Sequence, residues 1–203
     1  MSGDRPHLLD LIRNNTLDVQ LASMLWLLVE SKSSIISAAA PRLVGKTTLL
    51  LALVDFIPSR FRVLRTRGRD EDFSMLEGTN PASTYVIVPE LSDHTPEYLW
   101  GEPVKALFGH LARGYSLAAT FHADAPEVLF AALESPPVRL PRALHHHVGA
   151  IANVAMVEGE RGASHRLKTL TLVRPGPETV VVSEWDPYAD TFISLKSSAA
   201  RAA

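Results

Sequence analysis

Gly45-Lys46-Thr47-Thr48 is the densest run of usable chemistry in the chain. It lies between an apolar stretch ending in Ala40 and a run of leucines from Leu49 to Leu51. A tight turn that empties into a helix points backbone N–H groups at one anion, a lysine ammonium adds charge, and the first hydroxyl is placed to take Mg²⁺. The segment therefore reads as a phosphate-binding loop, with Ala40, Arg42, Leu43, Val44, Gly45, Lys46, Thr47 and Thr48 as its expected lining. The usual spacing asks for a glycine five residues before Gly45, where Ala40 stands. Gly-Lys-Thr-Thr alone is also what a helix start with a chance lysine looks like.

Phosphoryl transfer needs an oxygen ligand for Mg²⁺ beside the phosphates, positive charge on the transferred group and a means to orient water. Lys46, Thr47, Glu90 and His122 could supply these. Glu90 follows the apolar run Thr84 to Val88, and His122 ends the run Ser116 to Phe121. Both would lie at the carboxyl edge of a parallel sheet, where open α/β folds bind ligands. Each also has a plainer reading, as a solvated or hydrogen-bonded strand end. Consecutive histidines on a helix point in different directions, so His145, His146 and His147 are expected at the surface and not on a metal. Trp26, Trp100 and Trp185 are expected to be packing groups.

The elements that must position these residues follow from periodicity and breakers. Helices are expected over Pro6–Asn14 and Leu17–Ser31, the second capped by Thr16, and over Lys46 to Pro58. Further helical stretches run through Val104–Phe108, Pro126–Leu133 and Leu140–His147. Ile35-Ile36 begins a short apolar run without alternation, as a strand buried between helical layers should be, and Phe61–Arg65, Thr84–Val88 and Ser116–His122 read as further strands. From Ala150 the pattern changes to β-rich runs separated by turn residues, which suggests an antiparallel meander closing or flanking the sheet. The expected organisation is N-terminal helices over 1–32, a core over 33–148, a β-rich extension of the same domain over 149–196 and a tail over 197–203.

With 203 residues, 46% hydrophobic and 21% charged, the chain suits one globular α/β domain. A net charge of −2 lacks the basic surplus of a general nucleic-acid binder, so none is expected as a partner. The absence of cysteine excludes disulfides and thiolate chemistry, and suits a cytoplasmic protein. The apolar run Leu21–Val29 is too short to span a bilayer, and no signal peptide is visible.

Taken in order, Gly-Lys-Thr-Thr-Leu-Leu, a strand ending in Glu90, and Gly114-Tyr-Ser-Leu-Ala-Ala-Thr-Phe-His-Ala-Asp-Ala resemble the ATPases of type II and type IV secretion and type IV pilus assembly. Thr120, His122 and Ala123 match that family's "His box", and the resemblance runs from about residue 8 to 196. It implies a RecA-like P-loop NTPase core with ATP and Mg²⁺ as cofactors. Lys46 and Thr47 would be the Walker A phosphate and Mg²⁺ residues, Glu90 the Walker B carboxylate that joins Thr47 at the metal, and His122 the nucleotide-sensing histidine. It further implies an oligomeric ring, homo- or hetero-oligomeric, working with platform proteins at the inner membrane.

The departures bear on activity. Ala40 and Leu43 replace two glycines of the usual loop, and positive φ at Leu43 would cost about 1 kcal/mol or more. Pro89 replaces a glycine before Glu90, Ser92 stands for an arginine after it, and Tyr115 stands for the first His-box histidine. Asp70, Glu71 and Asp72 fall slightly late for the family's acidic box. The chain leaves no room for the N-terminal domain that supplies arginines to the neighbouring site. The expectation is therefore ATP binding with slow hydrolysis. The alternative is an interaction or regulatory subunit that keeps the fold, and a nucleotide kinase is disfavoured by the lack of a lid or acceptor-site signature.

Overall fold

The computed structural model describes residues 7–40, 44–159, 162–176 and 178–195. Two helices open the chain, α1 (Leu8–Arg13) and α2 (Val19–Glu30). There follow β1 (Ile35–Ala38), α3 (Lys46–Val54), β2 (Arg62–Arg65), β3 (Thr84–Leu91), α4 (Glu102–Leu111), β4 (Ser116–Phe121) and α5 (Pro126–Glu134). Four strands complete it: β5 (Ala150–Gly159), β6 (Gly162–Arg174), β7 (Glu178–Asp186) and β8 (Thr191–Ser194). All eight strands form one mixed sheet in the order β2-β3-β4-β1-β5-β6-β7-β8. The first five are parallel neighbours, and β5 to β8 continue as an antiparallel meander. The fold is thus α/β, with the β-rich extension joined edge to edge to the parallel part.

Burial on both faces explains the absence of alternation in β1. Ile35 packs with Leu21, Leu25, Leu49 and Leu53 of α2 and α3, whereas Ile36 packs on the other face with Leu107, Phe108, Leu129 and Leu133 of α4 and α5. Adjacent side chains of a strand point to opposite faces, so both must be apolar. Burying each stabilises the fold by roughly 1.5–3 kcal/mol.

Several local expectations need correction. The cap of α2 is Asp18, whose Oδ1 accepts from the Leu21 N–H at 2.7 Å, and not Thr16. Thr16 is buried, and its carbonyl instead accepts the Leu167 N–H of β6 at 2.6 Å. Leu140–His147 is not an α-helix, since only Arg142–His147 coil, as a 3-10 helix. His145 is not a surface residue: it is 1% exposed and stacks on Phe130 with ring centroids 4.3 Å apart. That burial pushes its pKa down, against the pull of Glu134. Trp26 is not a packing group either, for it stands 44% exposed on α2. The expected tail over 197–203 lies outside the described residues.

Candidate functional site

The sheet order decides what can meet at its carboxyl edge. β4 lies between β1 and β3, with Phe121 beside Ala38 on one side and Leu91 on the other. His122, the next residue, is thereby set between the turn that follows β1 and Glu90 on β3. Pro89 cannot donate to a ladder, and in a central strand it is tolerated only at an irregularity. The β3–β4 register shifts between Val88 and Leu91, and the Pro89 carbonyl accepts from Thr120 Oγ1 at 2.6 Å instead. Strand β3 therefore runs past Glu90 to Leu91, longer than the apolar run alone predicts.

Gly45 has φ +88° and ψ 6°, the left-handed conformation that suits glycine, and α3 starts at the next residue. A side chain there would be strained, and its Cβ would also lie 3.2 Å from Cδ2 of His165. Lys46, first in the helix, is only 6% exposed. Its Nζ lies 3.2 Å from Nδ1 and 3.5 Å from Nε2 of His122. His122 Nε2 is 3.3 Å from Glu90 Oε1, and its Nδ1 is 3.3 Å from the Ala40 carbonyl. Glu90 is buried, and its Oε1 accepts from Ser92 Oγ at 3.0 Å. Lysine, histidine and glutamate thus form one continuous polar chain from the start of α3, past the end of β4, to β3.

These groups open onto a pocket of about 380 Å³, a volume in the range of small-ligand sites. Val44, Gly45, Lys46, Thr47, Thr48, Glu90 and His122 all line it. Ala40 does not. It is exposed and reaches the site through its carbonyl on His122. Arg42 and Leu43 lie outside the described residues. Thr47 and Glu90 offer hard oxygen donors of the kind Mg²⁺ takes, and the left-handed Gly45 before a nine-residue helix suits a phosphate. The residues present therefore fit a magnesium-bound nucleotide.

Two further pocket residues carry no sequence motif. His94 follows β3 in a tight segment, its Nδ1 3.6 Å from Glu90 Oε1 and its ring edge-on to His122. His165 comes from β6 in the antiparallel part, and its inaccessible Nε2 meets no partner among the described residues. The spacing Glu90-x-x-x-His94 was a signal available in the sequence. Nothing local marks His165, which reaches Gly45 only through the fold.

The acidic segment is not at the site. The Glu71 carboxylate is buried and accepts from the Arg67 and Phe73 N–H groups at 2.7 and 2.8 Å, which folds its own loop. Tyr115 is likewise structural, its hydroxyl 3.0 Å from Thr79 Oγ1.

No profile of a known protein family matches the chain. Among curated proteins it is similar to the uncharacterized protein MJ1287 of Methanocaldococcus jannaschii, 26% identical over 215 residues, which span 90% of this chain and 76% of that one. Among solved structures it resembles the VirB11 ATPase of the Brucella suis type IV secretion system, crystallised with sulphate, at a TM-score of 0.55 and 18% identity. That match covers 81% of this chain and 54% of VirB11. It also resembles the pilus retraction motor PilT with bound ADP, at a TM-score of 0.53 and 13% identity over 85% of this chain and 54% of PilT. The chain therefore spans about half the length of these solved relatives. At such identities the likeness is one of fold, an α/β fold shared with secretion and pilus ATPases. Among the described residues, no helix is long and apolar enough to cross a membrane.

Proposed function

We propose that this chain binds a nucleoside triphosphate with Mg²⁺, ATP in the first instance, on a RecA-like P-loop core, and hydrolyses it slowly. The observation that carries this reading is the left-handed Gly45 opening α3, with the buried Lys46 beside Glu90 and His122 in one pocket. The backbone N–H groups of the turn and the start of α3 hold phosphate oxygens, and Lys46 adds the charge that the γ-phosphate needs. Thr47 and Glu90 would hold the metal, which when bound would supply charge neutralisation for the phosphates. Glu90 orients the attacking water, and the Ser92 hydrogen bond fixes which of its oxygens is left for that task. His122, shared between Lys46, Glu90 and Ala40, registers whether the loop is filled.

The likeness in fold to VirB11 and PilT supports a role alongside such machines, as an oligomeric ring or a ring subunit on inner-membrane platform proteins. On that reading the chain would work in the cytoplasm, peripheral to the membrane. A second reading, a regulatory subunit that keeps the fold without turnover, is favoured by the Lys46–His122 contact, which occupies the lysine within the protein. Both readings are tested by phosphate release from ATP and by thermal unfolding with Mg-ATP. Slow turnover lost in Glu90→Gln, with a raised melting temperature in both proteins, supports the first. Absence of turnover, with or without a raised melting temperature, supports the second, and absence of both effects would exclude nucleotide binding.

A further inference from the structure

The geometry points to a transition-metal site formed by His94, His122 and Glu90, distinct in ligand chemistry from an oxygen-only Mg²⁺ site. One donor atom from each of the three residues lies within 4.8 Å of the others. Glu90 Oε1 is 3.3 Å from His122 Nε2 and 3.6 Å from His94 Nδ1. Ligands about 2.0–2.2 Å from a tetrahedral zinc stand roughly 3.3–3.5 Å apart, so both separations approach what such an ion needs. Two imidazoles and a carboxylate are a borderline-soft set that suits Zn²⁺ or Co²⁺, whereas Mg²⁺ selects oxygen.

The surroundings are those of a ligand set. A metal-binding histidine turns its second nitrogen toward a carbonyl or carboxylate, and a ligating carboxylate is itself hydrogen-bonded. His122 Nδ1 has the Ala40 carbonyl at 3.3 Å, and Ser92 Oγ donates to Glu90 at 3.0 Å. With the proton on Nδ1, His122 donates to Ala40 and its Nε2 lone pair faces Glu90. A cation on Nε2 selects that tautomer and ends any acceptance from Lys46 at Nδ1.

His94 is delivered by a segment with little freedom. The Ser92 N–H donates to the Leu99 carbonyl at 3.1 Å, the Leu99 N–H to the Glu90 carbonyl at 3.0 Å, and the Arg69 N–H to the Pro96 carbonyl at 2.8 Å. Gly68, at φ +112°, lets the two loops touch, since a Cβ there would fall 2.2 Å from the Pro96 oxygen. Three protein ligands leave open positions, and these face the pocket that Lys46 and Thr47 also line. An anionic oxygen completes the shell. The proposal goes beyond nucleotide binding and stands without it.

The test is titration of the untagged full chain with Zn²⁺ by calorimetry, and with Co²⁺ followed by ligand-field absorption, both without nucleotide. One Zn²⁺ per chain is expected, with Mg²⁺ at least tenfold weaker. His94→Ala and His94→Gln should each weaken Zn²⁺ at least tenfold, with unchanged circular dichroism. The double variant His146→Ala/His147→Ala, which removes a half-buried histidine pair outside this pocket, should change Zn²⁺ affinity less than twofold. Absence of Zn²⁺ binding, binding unaffected at His94, or binding lost with His146 and His147 would overturn the site and leave an ion-pair cluster. Because the metal is read without nucleotide, failure to bind ATP leaves this result intact, and failure to bind Zn²⁺ leaves ATP binding intact.

Discussion

The parallel and antiparallel parts of the one sheet are built on different terms. In the parallel part every residue of β1 and β4 is buried, whereas β7 and β8 expose Val181 and Ile193 and keep few residues covered. Strands covered on both faces hold their ends still, and Lys46, Glu90 and His122 all follow from such ends. The meander instead contributes one side chain to the pocket, His165, and ties itself to the N-terminal helices. Arg166 does that work: its Nε and Nη2 donate to Asp190 at 2.6 and 2.8 Å, and Asn15 and Trp185 donate to the same carboxylate. The candidate site sits where the strands are covered on both faces, and the half-covered strands act as a brace.

Core truncation should separate the two parts most strongly. Leu117→Ala in β4, fully buried, is expected to destabilise by about 3 kcal/mol, whereas Val181→Ala in β7 should cost under about 1 kcal/mol, both read by urea unfolding. Equal losses would erase the distinction drawn above.

A smaller effect is expected at the contact between the parts. Gly45→Ala places a Cβ at positive φ and against His165, which should weaken ATP binding about tenfold. Adding His165→Ala relieves the crowding but not the strain, so recovery should be partial. Full recovery would make His165 the whole obstacle, and none would make it irrelevant.

The brace should reveal itself through pH. The Arg166 guanidinium, followed by the Trp185 and Asn15 hydrogen bonds, holds the Asp190 carboxyl well below the usual carboxylate range. A folded-state pKa below the unfolded one adds stability above the unfolded value, near 4, and loses it as pH falls toward the folded one. Asp190 is about half exposed, so screening holds the contribution to about 1 kcal/mol. Asp190→Asn should lower stability by that amount at pH 7 and by progressively less between pH 5 and 2. A pH-independent difference would assign the loss to packing. A loss of similar size is expected from Tyr85→Phe, which removes a buried hydroxyl that donates to the Val29 carbonyl at 2.9 Å and should cost about 1 kcal/mol in thermal unfolding.

Much of this was legible in the residues, for reasons that differ by element. Ile35-Ile36 and Ser116–Phe121 read as buried strands because both faces are covered, and Gly45-Lys46 reads as a turn into a helix because glycine is needed there. The edge on which Glu90 and His122 meet follows from parallel strands. What was not legible depends on long-range packing. The bulge that carries β3 past Pro89 needs Thr120 opposite, and the burial of His145 needs Phe130. His165 stands 120 residues after Gly45 in the chain, yet touches it only because β5 pairs with β1 and β6 with β5. Asp18 and not Thr16 is the cap because α2 starts at Val19, which leaves Thr16 two residues short of the cap position.

The account's central claim is that Gly45 to Thr48 and Lys46 in particular bind a nucleotide, and calorimetric titration of the full chain with ATP and Mg²⁺ tests it most directly. Saturable binding of one ATP per chain, weakened at least tenfold in Lys46→Ala, is the expected result. No binding, or equal affinity in Lys46→Ala, would contradict it.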